Sequence, residues 1–142
     1  MERQIEHTEV IEGVTYTLSI EQDDQPVRGN ISAVGVIEDQ EAENWVYAEL
    51  HQGNLWAWCV VTVEASVQKD GVKFAGKEYL GGCSYENKQA FMVEGGYYPD
   101  MRDEARAALQ GELLRYATRG TYALEWLDRI FDLKAVLHKN NA

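Results

Sequence analysis

Residues 54–87 read NLWAWCVVTVEASVQKDGVKFAGKEYLGGCSYEN, and their periodicity decides the fold. Between positions 55 and 67 every odd residue is apolar (Leu55, Ala57, Cys59, Val61, Val63, Ala65, Val67), while the even ones run Trp56, Trp58, Val60, Thr62, Glu64 and Ser66. Side chains alternate across a strand but recur every 3.6 residues around a helix, so a strict period of two at this length predicts a strand. Asp70-Gly71 tolerates positive φ at both positions, as the tight turn of a β-hairpin requires, and a second β-rich run follows it. With that turn alone, partner numbers sum to 141 and Glu78 falls opposite Val63. A bulge at Ala75-Gly76 raises the sum to 142 and pairs Tyr79 with Val63, Gly81 with Val61, Cys83 with Cys59 and Tyr85 with Ala57. Large then faces small throughout, and this is the register expected.

Upstream, Val14, Tyr16, Leu18 and Ile20 alternate with Thr15, Thr17 and Ser19, a half-buried strand. Residues 1–12 form an extended arm or a first strand. EQDDQPVRGN (21–30) is a loop, after which 31–37 can return as a strand weakened by Gly35. From Asp39 to Gln52 the period becomes helical, with Ala42, Trp45, Val46, Glu49 and Leu50 at helical spacing around one narrow apolar stripe, Asp39 as cap and Gly53 as stop. Downstream, Asn87 caps a short helix over 88–94 that ends at Gly95-Gly96. Pro99 opens a long helix with Met101, Ala105, Ala108, Leu109, Glu112 or Leu113, and Tyr116 on one face and Gly120 as stop. Thr121 caps a last helix, antiparallel to it, with Leu124, Leu127, Ile130, Phe131 and Leu137, together with Trp126, on a wide apolar face. The expected fold is α+β: one domain over 1–142, an antiparallel sheet centred on the hairpin of about 55–85, and the C-terminal helices packed on one face.

A chain of 142 residues, 45% hydrophobic, suits one core of ordinary size. Its net charge is -11, and residues 1–52 hold twelve acids against two bases, leaving a net of only -1 on 53–142. Such a field repels nucleic acid and favours basic partners. No apolar run approaches the roughly 20 residues of a membrane span. The start, MERQIEHTEV, has no basic segment followed by an apolar one, so a cytoplasmic protein without membrane contact is expected. Cys59 and Cys83 lack CxxC spacing and read as buried thiols; His7, His51 and His138 are scattered. Neither a metal site nor a cofactor is expected.

IEQDDQPVRGN, NLWAWCVVTV, LGGCSYEN and YYPDMRDEA, which fall within residues 20–105, together resemble a set of small uncharacterised proteins encoded by phages and prophages. The resemblance implies a bacterial host cytoplasm and carries over no activity and no site residues.

Three places could carry function. Gly81, Gly82, Cys83 and Ser84 form the most enzyme-like corner, with His51 as a conceivable base, but a small residue facing Cys59 accounts for the same pattern and no catalytic residue is assigned. Glu21, Asp23 and Asp24, near Arg28 and Asn30, offer oxygen ligands in no recognised metal spacing and read as a solvated turn. Trp56 and Trp58 share one strand face; the helical hairpin can cover them, or they can anchor a partner. The acidic segment carries the leading expectation: Asp23, Asp24, Glu38, Asp39, Glu41 and Glu43, with Trp56 and Trp58, bind a host protein that has a basic surface. In that reading the chain is a non-enzymatic phage accessory that inhibits a host defence factor, by mimicry of DNA phosphates. The alternatives are a small enzyme or nucleotide-binding protein using the Gly81 to Ser84 corner, and a virion or assembly component.

Overall fold

The structure, a computed structural model, describes residues 3–31 and 36–117, with backbone alone at Val36, Ile37 and Ala117. The helix expected after Gly120 lies outside the described residues, as does Gly35. Four strands form one antiparallel sheet in the order β1 (Gln4–Ile11), β2 (Val14–Gln22), β3 (Cys59–Lys69) and β4 (Val72–Cys83). Helix α1 (Val36–His51) joins the two hairpins. The short α2 (Lys88–Ala90), a π-helical turn (Phe91–Gly95) and the long α3 (Tyr98–Ala117) follow the sheet. This is the expected α+β class.

Both hairpins turn on two residues of positive φ, Glu12 (51°) with Gly13 (83°) and Asp70 (53°) with Gly71 (81°). Such turns twist in the same sense as the strands they connect. The N-terminal segment is therefore a full first strand.

The expected bulge at Ala75-Gly76 is corrected. Phe74 stacks on Tyr116 of α3 (4.8 Å between ring centroids), and a Cβ on Gly76 would come within 2.2 Å of the Leu109 amide nitrogen. Residues 74 and 76 thus both face α3, as an uninterrupted strand demands. Lys77 reaches Glu64 (3.8 Å), its direct partner when numbers sum to 141. The glycine is present because a helix backbone crosses that spot. Side alternation breaks later, at Gly82 (φ +64°): Leu80 is half-buried and Cys83, three positions on, is buried. Tyr79, expected against the fully buried Val63, is exposed. Cys83 is still brought near Cys59, since each thiol is buried and the Cys83 charge is among the causes acting on Cys59.

Two further expectations change. Residues 55–57 are a 3-10 turn, with the Asn54 side chain accepting from the Trp56 amide (3.2 Å), so the strand begins at Cys59. Of the returning strand expected over 31–37, residues 32–35 lie outside the described residues, and Val36 and Ile37 open α1 instead. Ile31 instead packs with Val27, Val46 and Trp58, an apolar cluster that drew its β-branched residues without needing a ladder.

The chain's internal contacts divide into two compact units to which every strand contributes. One comprises 1–7, 18–62 and 79–99, and its buried side chains include Leu18, Ile20, Val46, Trp58, Val61 and Phe91. The other comprises 8–17, 63–78 and 100–142, and buries Val14, Tyr16, Val63, Ala65, Leu109 and Leu113. In the second unit Arg102 of α3 donates to Glu9 (2.8 Å) and lies over the Tyr16 ring (5.9 Å).

Candidate binding surface

All eight residues singled out for partner binding fall in the first unit. That unit holds twelve acids against three bases, Arg3, Arg28 and Lys88, a net of -9; the second holds twelve against ten, a net of -2. The charge asymmetry along the sequence is therefore also an asymmetry between folded units.

The six carboxylates do different work. Asp23 ties the loop after β2 to the end of β4: Oδ1 accepts from the Gln25 amide (2.9 Å) and Oδ2 from the Gly82 amide (2.7 Å). Glu43 accepts from the Gly29 amide (3.1 Å) and, with the half-buried Asp39, lines a shallow cleft that also contains Arg28. Glu43 thus holds the 23–31 loop to α1, and Asp23 holds it to the end of β4. Asp24, Glu38 and Glu41 are exposed and have no hydrogen-bond or ion-pair partner among the described residues. The free acidic surface narrows to them.

Trp56 and Trp58 are not on that surface, being 5% and 2% exposed. Trp56 packs on Phe91 (5.4 Å) and donates its indole N–H to Glu6. Trp58 sits with Val27, Val46 and Ala57 and donates to the Gln25 carbonyl (2.8 Å). An indole buried with its N–H satisfied is a packing residue. Their cover comes from α1, the 23–31 loop and Phe91. Among the described residues the tryptophan at the surface is Trp45, 38% exposed, although the helical spacing places it on the stripe; Tyr47 and Tyr97 of the same unit are exposed too. Ala42, Val46 and Leu50 form the inner face without it.

The Gly81 to Ser84 corner does border a cleft, of about 340 Å³, whose walls include Asn30, Trp58, Leu80, Cys83, Tyr85 and Tyr97. Its chemistry does not suit a nucleophile. Burial, its largest cause, pushes the Cys83 thiol up to about 11, so the thiolate is scarce at neutral pH. The Gly82 N–H, which an oxyanion would need, is already given to Asp23. His51 lines a different cleft, with Asp24 and Tyr47. Glu21 pairs with Arg3 (3.9 Å), and among the described residues no group of three His, Cys, Asp or Glu side chains is placed to hold a metal ion. No described helix is long and apolar enough to cross a membrane.

Compared with protein-family models, with curated proteins and with solved structures, the chain matches none.

Proposed function

We propose that the chain is a non-enzymatic accessory protein of phage or prophage origin that docks, through the exposed acids of α1 and the preceding loop, on the basic surface of a host protein. The observation that carries this reading is the location of the charge: the net of -9 lies in one unit, and its exposed members Asp24, Glu38 and Glu41 have no partner among the described residues. Unpaired carboxylates at the surface repel one another and are stabilised when a cationic surface approaches. A groove of Lys and Arg that ordinarily receives phosphates responds to charge and spacing, so a host defence factor that handles nucleic acid is the partner class favoured. The buried, protonated thiol at the Gly81 to Ser84 corner argues against an enzyme there.

The test is affinity capture from a bacterial host lysate with quantitative mass spectrometry, wild type beside Glu38→Gln/Glu41→Gln. The reading expects a host protein enriched on wild type and lost on the variant. Identical partners on both proteins would contradict it.

A further inference from the structure

Beside the exposed acids lies a cleft of about 410 Å³ whose walls are Trp45 of α1, Ser84, Tyr85 and Glu86 from the segment after β4, Ala90 of α2, and Glu94 of the π-helical turn. Two aromatic side chains and two carboxylates thus border one concavity. The aromatic wall is held in place: the Tyr85 ring meets Phe91 edge to face (5.2 Å, 90°), and its hydroxyl lies where a Cβ on Gly95 would come within 2.8 Å. Glu86 and Glu94 are exposed, and neither carboxylate has a hydrogen-bond or ion-pair partner among the described residues. None of the unit's bases, Arg3, Arg28 and Lys88, is among the walls. Lys88 donates to the Glu6 carbonyl (3.3 Å), and Arg28 lines the separate cleft with Asp39 and Glu43.

We propose that this cleft receives the guanidinium group of an arginine presented by the protein partner, with Trp45 and Tyr85 flanking its plane and Glu86 and Glu94 accepting its N–H groups. The inference rests on the reading of this unit as a docking surface for a basic protein, and adds which side chain is recognised and where. Arginine fits better than lysine for three physical reasons: its flat, weakly hydrated cation stacks on aromatic faces, its forked donors can serve two carboxylates, and it cannot lose its charge. Neutral ligands would leave both carboxylates unmatched, and anions would be repelled by the unit's net charge.

The experiment is an NMR titration of the full chain with a short capped peptide alternating arginine and glycine, beside its lysine counterpart. The expected result is movement of the Trp45 indole N–H and the Ser84, Glu86 and Glu94 amides on adding the arginine peptide. Binding weakens about tenfold in Trp45→Ala and in Glu86→Gln/Glu94→Gln, and the lysine peptide binds several-fold more weakly. The carboxamide variant keeps the shape of the wall, so its loss of binding cannot be ascribed to misfolding. Shifts confined to the Glu38 and Glu41 region, or equal affinity for both peptides without dependence on Trp45, overturn the cleft assignment and leave the acidic docking surface standing. No shift with either peptide overturns it as well. Failure of the docking reading itself would appear separately, as lysate partners indifferent to Glu38→Gln/Glu41→Gln.

Discussion

Gly76 is where one residue constrains the most. The backbone of α3 passes so close that a single added methyl group would meet Leu109 N at 2.2 Å and the Ala105 carbonyl oxygen at 2.6 Å, and backbone cannot swing aside as a side-chain tip can. Gly76→Ala should cost about 3 kcal/mol in chemical denaturation, the upper part of the range for overpacking. Thr62 offers the opposite case. Its hydroxyl is buried with no hydrogen-bond partner among the described residues, so Thr62→Val, which keeps the shape and removes the orphaned group, should leave stability unchanged or raise it by about 1 kcal/mol. The burial that packs the two thiols also disfavours their ionised form. Burial raises Cys83 from its ordinary 9.0 to about 11, so the unfolded chain releases that proton first as pH rises, and the folded state loses stability between those two values. Cys83→Ala should flatten that alkaline decline in melts taken across it. A residual slope should remain from Cys59, Tyr16 and Tyr85, all raised chiefly by burial.

At the scale of elements, the short α2 and its π-helical turn depend on a cap. The Asn87 side chain accepts from the Ala90 amide (2.9 Å) and Gly96 takes the left-handed conformation (φ +69°) at the other end. Asn87→Ala should cost about 1 kcal/mol and raise hydrogen exchange at the Ala90 amide. This element, the Asp70-Gly71 turn and the start of α3 near Pro99 were all legible in the sequence because their signals are local: a cap, a turn dipeptide, a fixed φ. The elements misread are those decided by something distant. Gly76 looks like a bulge until α3 is laid over it. Ile31 looks like the start of a strand until it is seen against Val46 and Trp58. Glu12 is an uncommon residue for positive φ, so the first hairpin turn gave no warning. Asp23, read as a surface acid, is bonded to Gly82 across 59 positions of sequence. Asp23→Ala should destabilise the fold by about 2 kcal/mol and expose the Gly82 amide to exchange, a long-range link that no local pattern carries.

For the whole molecule, the governing feature is that charge and structure are partitioned together. The acidic excess belongs to one unit, while the other balances its acids with bases such as Arg102, which pairs with Glu9 and lies over Tyr16, and Lys73, which pairs with Glu64 (2.7 Å). Much of the candidate surface could be read from the sequence, since the imbalance is visible by counting. What could not be read was which acids are free. Asp23 and Glu43 hold backbone amides, Trp56 and Trp58 are core, and Trp45, Glu86 and Glu94 converge from segments some forty to fifty positions apart. The central claim is that exposed acids in one unit drive binding, and its most direct test is the affinity for the captured host partner measured from about 50 mM to about 500 mM salt, since surface charges are screened over that range. The account predicts that affinity falls steeply with salt for wild type and more shallowly for Glu38→Gln/Glu41→Gln. An affinity that stays the same at both ends of the range would contradict it.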